Sequence, residues 1–575
     1  MAGRRRIAFP LALAVATAWI GGYAQTAPSG MHPAYASTSL MKADFKPVVG
    51  DIEWLPDGRL LVMTMVMNSH DHVSGPSDLY ILDGVLKGGA DAVTLKKYAS
   101  GFYTPQGLEV VDGQVYVLDN KEGIIRLTDA DKNDVAEART VVWSEGIKTT
   151  DRKWSGGLAY KDGFFYVPIS TRIIPGGRSD SIQGKWNGTV AKIAKDGSTA
   201  ETFAGGIRNS NGIGWGPGGE LLVSDNQGDW TPVSRLNEIR KGEFYGHKTT
   251  AFDTKPMTPP VFWTPHGEVA NSPSNMIFLG HGPYKGQMLM GEVTNQRILR
   301  ANLERVDGRL QGCVFPFAAN MPAGVQRLLE AKDGSGAIIV AGVGGDGGWT
   351  IKTPWYDLER LTPTSTLPFE MFAVRSLGAA SLEVEFTKAI AAADAVPARF
   401  SVSSFWYEPT SAYGGAKKDN RLLSVSGAAV SADGKRVTLT VAGLQTGRVL
   451  QIRLQDLKSK DGESPYATDG YYTLNAFGPG EQIPVSMDGG AARAPSPAWG
   501  IRSSGTEAQI RPPLAGPFTL RLLSLDGKIE GTYASRRDAE TWACRLPLSG
   551  LRGRSLLILE ARGAGGLSRV KWMVP

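Results

Sequence analysis

Three short runs place polar side chains at the start of a Gly-apolar strand: TPQGLEV at 104–110, WSGGLAY at 154–160 and NSNGIGW at 209–215. Gln106, Lys153, Arg208, Asn209 and Asn211 stand at or just before those starts. Carboxamides both donate and accept hydrogen bonds, and arginine only donates. Lysine serves as a base only where burial or a nearby cation lowers its pKa by several units. Two histidine settings add to these. His70 and His72 flank Asp71 and, in a strand, would share one face. That pairing reads as half a metal site, as a base carried on a loop, or as a solvated polar loop, since NSHDHVSGPSD is turn-rich. His266 precedes a strand beside Glu268 and Asn271, which fits either a catalytic imidazole or one bonded to a loop carbonyl.

The elements that must position these groups come from a repeat. A Gly turn followed by a short apolar strand recurs as LPDGRLLV (Gly58), VVDGQVYV (Gly113), YKDGFFYV (Gly163) and GPGGELLV (Gly219). Weaker copies are YKGQMLMG (Gly286) and KDGSGAIIV (Gly336). A turn-plus-strand unit every roughly 50–67 residues predicts four-stranded blades, hence an all-β propeller of six blades over 40–365. The Gly-apolar strands then line the central channel, and the polar residues before them sit at its mouth. The Gly-rich run AGVGGDGGWTIK at 341–352 follows a strand with no helix after it, which excludes a dinucleotide cradle. In a propeller it is a mouth loop, with Asp346 and Trp349 placed to stack on a flat ring. Trp154 and Trp230 allow the same role or a blade core.

Past 365 the texture shifts to alternating strands such as SLEVEFT, KRVTLTVAGL and VLQIRLQDL, predicting an immunoglobulin-like β-sandwich over 366–477. A Gly/Pro/Ala/Ser-rich linker follows over 478–500, then a second small sandwich over 501–575.

Composition bounds the partners. The 575 residues include 71 glycines, which suits many short strands joined by tight turns. Cys313 and Cys544 are far apart, so neither a disulfide framework nor a haem-attachment motif is present. The net charge of +6 includes Arg4, Arg5 and Arg6, and no basic block interleaves with aromatics, so nucleic acid is not an expected partner. Those arginines precede the apolar run IAFPLALAVATAWIGGYA and small residues, predicting a signal peptide over 1–24 and a periplasmic or extracellular protein.

The segment GIRNSNGIGWGPGGELLVSDNQGD (206–229), with LNEIRKGEFYGH (236–247), resembles the six-bladed propellers of soluble quinoprotein sugar dehydrogenases. HGEVANSPS, MLMGEVTNQRILRANLE, GCVFPF and AGVQRL extend the likeness toward the sorbosone-dehydrogenase-like group, over roughly residues 45 to 475. The resemblance implies a pyrroloquinoline quinone (PQQ) at the channel mouth, a calcium ion bridging it, and a sugar or related alcohol as substrate. Arg208 and Asn209 match the family's pair facing the quinone, and Asp225, Asn226, Gly228 and Asp229 fall where it builds its calcium site. Lys153 stands where the family has its general-base histidine. Thr294 replaces a cofactor-binding lysine, and Gln326, with Arg327 beside it, replaces an arginine of the last blade. With no haem motif, electrons would leave to a separate acceptor. The tail LRLLSLDGK…LPLSGLRGRSLLILEA resembles sorting domains that engage cell-surface or secretion machinery.

Three functions remain open. One is a PQQ-type oxidoreductase, with Lys153, Arg208 and His266 as catalytic candidates. Gln106, Asn209, Asn211, Thr294, Gln326, Arg327 and Trp349 are then its cofactor contacts. Another is a calcium-dependent lactonase-like hydrolase, with Asp51 or Glu53 as its early acidic ligand. The third is a propeller that binds carbohydrate or protein without catalysis.

Overall fold

The computed structural model describes residues 28–69, 72–73, 76–147, 155–174, 176–344 and 354–482, and the strands lying between 500 and 572. The expected signal peptide, His70, Asp71, Lys153, Trp154, Asp346 and Trp349 lie outside the described residues.

Six four-stranded antiparallel arrays form the first part of the chain. Their inner strands are Val49–Trp54, Pro105–Val111, Ala159–Lys161, Gly212–Trp215, Pro273–Phe278 and Gly324–Glu330. Each touches the next, and the last touches the first, so the arrays are six blades around a closed ring. The closure is a shared blade: Tyr35–Ser39, from the N-terminal side, supplies the outer strand of blade six by pairing with Asp357–Pro363. The ring thus begins before residue 40, and its closure packs the faces of the first and last blades over one shared core.

Strand sequences explain the stacking. Both faces of a blade are covered by its neighbours, so second strands read as near-continuous apolar runs. In Leu60–Thr64, Leu60 and Val62 enter the core shared with blade six, while Leu61 and Met63 enter the core shared with blade two. The six repeated glycines fall in the turns between first and second strands, with φ from 71° to 91°. A side chain is strained in that region, which is why the turn signature is legible.

Residues 371–474 form two sheets packed over a common core that includes Val374, Leu382, Val402, Leu439 and Ile452. One sheet is Met371–Gly378, Ser381–Phe386, Arg436–Val441 and Val425–Val430. The other contains Phe400–Trp406, Lys418–Leu423, Arg448–Leu454 and Asp469–Leu474. It continues the outer strand of blade five, with Val314, Cys313 and Gly312 paired to Tyr471, Tyr472 and Thr473. The sandwich and blade five are therefore one hydrogen-bonded sheet. Residues 488–575 form a separate compact unit of two four-stranded sheets.

Candidate functional site

Strand direction gathers the chemistry at one rim. In an antiparallel blade, the start of the inner strand, the turn between second and third strands and the end of the outer strand all emerge on the same side. Gln106, Arg208, Asn211, the 225–229 turn, His266, Thr294 and Gln326 all belong to such segments. The Gly turns and the 129–137 loop belong to the opposite rim.

Near that rim the channel axis is crossed by Arg327. Its Nε donates to Asp51 Oδ1 at 2.8 Å. Nη1 donates to the Asn211 and Gln326 carbonyls, each at 2.9 Å, and Nη2 to the Gln106 carbonyl at 2.8 Å. Carbonyls from blades two, four and six thus converge on one guanidinium, which places it at the channel axis. Asp51 also accepts from the N–H groups of Ile52 (2.9 Å) and Leu108 (2.8 Å). Burial pushes its carboxyl above the usual range, and Arg327 pulls it back.

The residues whose carbonyls hold Arg327 have a second property. Gln106 and Gln326 are 0% exposed, and all four polar atoms of their amides lack a hydrogen-bond partner. Ser155 Oγ and Asn226 Oδ1 are likewise buried and unpartnered. Asn211 instead donates to Ser272 Oγ at 2.9 Å. An unpartnered buried polar group costs about 1–3 kcal/mol, so this layer is destabilising unless something binds it.

The blade-four rim is the reverse case. Asp225 Oδ2 takes a two-pronged bond from Arg235 (2.8 and 3.2 Å), and Oδ1 accepts the N–H groups of Arg208 (3.0 Å) and Asn209 (2.9 Å). Asp225 and Arg235 face each other across neighbouring strands and are wholly buried. Asp229 accepts from the Ser179 N–H (3.0 Å) and Arg208 Nε (3.4 Å), and its other oxygen lies 3.0 Å from His247 Nε2. Burial pushes Asp229 upward, but His247, Ser179 and Arg208 outweigh it and hold the carboxyl well below its ordinary value.

Arg208 also donates to the Gly177 carbonyl and lies against Gly228, where an added Cβ would fall 1.7 Å from its Nε. The Gly228 carbonyl accepts the Gly414 N–H at 3.0 Å. The expected calcium turn is therefore an ion-pair and hydrogen-bond hub. Its carboxylates face two guanidinium groups and an imidazole, so the turn offers a calcium ion the free oxygen of Asn226 but no carboxylate that is not already paired with a cation. Arg208 spends Nε on Asp229 and Nη2 on the Gly177 carbonyl. Asn209 Oδ1 is bonded by Ser170 Oγ at 2.9 Å.

Other candidates are set apart. His266 is exposed, and partial burial of its ring lowers its pKa. Neighbouring Glu268 is tied to Lys417 of the sandwich at 2.6 Å. Thr294 donates its N–H to Glu292, a buried carboxylate that also accepts from Asn271, Ser272 and Asn295 and so holds the blade-five mouth loops. His72 pairs with Ser69 through the backbone of a short hairpin. Among the described residues, the group of carboxylates close enough to share an ion is Asp129, Asp131 and Glu137, on the opposite rim. A cavity of about 440 Å³ lined by Lys161, Tyr166, Phe203 and Trp215 also opens there.

Residue-by-residue reading missed Ser179, His247 and Tyr413, which come to the rim from separate loops. Arg235 carries a local signal: it is a charged residue on the strand after Asp225, at the position that pairs with it.

No family model matches the chain, and no curated protein does either. Among solved structures it is similar to an oxidoreductase described as a glucose dehydrogenase from Thermus thermophilus (18% identity, 57% of this chain and 99% of that one, TM-score 0.41). It is similar as well to the PQQ-bound aldose sugar dehydrogenase of Streptomyces coelicolor (17%, 58% and 99%, 0.41). The PQQ domain of pyranose dehydrogenase from Coprinopsis cinerea is a third (12%, 58% and 99%, 0.38). At such identities and scores the likeness carries no residue roles across.

Proposed function

We propose that this chain is an exported, quinoprotein-like propeller that oxidises a sugar or related alcohol at the mouth of its channel. One observation carries the reading: Gln106 and Gln326 present two buried carboxamides with no partners, in the layer that holds Arg327 on the axis. Two such amides in one layer mark a place where a ligand or an ordered water that pairs with them is stabilising. A planar ring edged with carbonyl and carboxylate oxygens suits this donor set, with the positive guanidinium of Arg327 beside it.

PQQ answers that description, and when bound it supplies an acceptor for two electrons and a proton. Gln106 and Gln326, shielded from solvent in this structure, would hold it through their amides once the layer above them opens, and Asn211 would support the same layer. Arg327, clamped by Asp51, fixes the floor of the site. Lys153 remains the sequence-based choice for taking the substrate proton. The 225–229 turn is given no calcium. The lactonase-like reading finds Asp51 committed to Arg327, and Glu53 toward the far end of the same strand, 3.6 Å from Lys332.

The test is titration of the full-length protein with PQQ, with and without calcium, followed by absorbance and calorimetry. Dye reduction is then measured with D-glucose, D-galactose and cellobiose. Saturable PQQ binding with sugar-dependent dye reduction is expected. Sugar binding without PQQ binding would replace this reading with a non-catalytic carbohydrate-binding propeller, and calcium-dependent lactone hydrolysis would replace it with the hydrolase.

A further inference from the structure

One side chain at the mouth comes from the sandwich. The loop between Phe400–Trp406 and Lys418–Leu423 reaches across to the 226–232 turn of blade four. Three backbone bonds pin it: Trp230 N–H donates to the Thr410 carbonyl (2.7 Å), Gly414 N–H to that of Gly228 (3.0 Å) and Gly415 N–H to that of Pro232 (2.8 Å). Arg178, on a mouth loop of blade three, donates to the Ser411 carbonyl at 3.2 Å. The loop is therefore ordered during folding, and a ligand meeting it pays little further ordering cost.

At the tip sits Tyr413, whose backbone bridges to Asp229 while the residue remains 51% exposed. Its ring lies 5.3 Å from the Arg208 guanidinium carbon. It also packs at Gly177, where an added Cβ would fall 3.2 Å from Cε2. A tyrosine fixed at its backbone, backed by a cation and left half open is a stacking surface. Cyclic sugars offer such a surface a flat apolar C–H face, and their hydroxyls suit polar neighbours such as Arg178 and Gln227. An acyclic polyol has no such face.

We infer that the sandwich completes the mouth site, with Tyr413 as the platform on which the ring of a cyclic sugar stacks. This rests on the mouth being the ligand site, as proposed above. It makes the β-sandwich part of the substrate specificity and gives a reason for the continuous sheet joining it to blade five.

Calorimetric titration of the full-length protein, with and without added PQQ, uses D-glucose, D-galactose, cellobiose and the acyclic polyol D-sorbitol as probes. Tyr413→Ala is expected to weaken binding of the cyclic sugars about tenfold, Tyr413→Phe to stay within about twofold, and D-sorbitol to bind no differently to any of the three proteins. Wild-type affinity for the cyclic sugars in Tyr413→Ala overturns the inference while leaving the mouth reading intact. Failure of the wild type to bind any cyclic sugar, with or without PQQ, overturns both. Unchanged thermal melting of Tyr413→Ala, expected for a half-exposed ring, separates lost binding from lost folding.

Discussion

Two regions of the mouth rim are built on opposite principles. On blade four, the charged groups Arg208, Asp225, Asp229 and Arg235 are buried and matched to one another. Around the axis, the neutral amides of Gln106 and Gln326 are buried and matched to nothing. A charge without a partner is far costlier to bury than an amide, so charges are satisfied within the protein while amides can be left for a ligand. The sequence features that look most chemical thus serve as scaffold, and the blander ones are what the proposed ligand would meet.

The largest effect should come from breaking the scaffold. Asp225→Ala leaves Arg235 buried and uncompensated, and should cost about 3–5 kcal/mol in urea denaturation. The double replacement Asp225→Asn with Arg235→Met should recover most of that loss, because the Asn side-chain oxygen can still accept the N–H groups of Arg208 and Asn209. If Asp225→Ala is neutral, or the wild-type turn binds calcium, the blade-four hub is not the ion-paired structure described.

Next is Asp229. Its folded-state pKa is held below the ordinary value of 3.8, so its contribution is fully present above that value and is lost as pH falls through the lower folded value. Asp229→Asn should lose about 2 kcal/mol at pH 7. The gap between variant and wild type should close in melts taken below pH 3.8.

One acidic group departs from the rule and sharpens it. Asp357, at the mouth end of blade six, has both carboxylate oxygens buried and unpartnered. Burial, with the charge of Glu359 added, raises its pKa well above the ordinary 3.8. Stability linked to it is therefore greatest below 3.8 and falls as pH rises toward the higher folded value. Asp357→Asn should raise stability at pH 8 by about 1 kcal/mol, with the gain vanishing in acid melts.

How much of this was legible follows from which signals are local. Blades could be read because each needs a positive-φ glycine at the same turn and apolar residues on both faces of its second strand. The rim could be read because strand direction follows from the repeat. Gln326 and Arg327 could not be told apart by role, since only the packed ring shows which of the two neighbours spans the axis. At the 225–229 turn, oxygen-rich loops suit calcium in any sequence, and only the packed fold shows that Arg208, Arg235 and His247 pair with its carboxylates. Tyr413 was out of reach because it joins the rim from a different part of the fold, nearly two hundred residues away in the sequence.

The most direct test of the account is the double variant Gln106→Leu with Gln326→Leu, measured for both thermal stability and PQQ binding. Removing unpartnered amides in favour of apolar groups should leave the melting temperature unchanged or raised, while PQQ binding is lost. A variant that melts much lower yet binds PQQ like the wild type would contradict it, because the amides would then serve the fold and not the ligand.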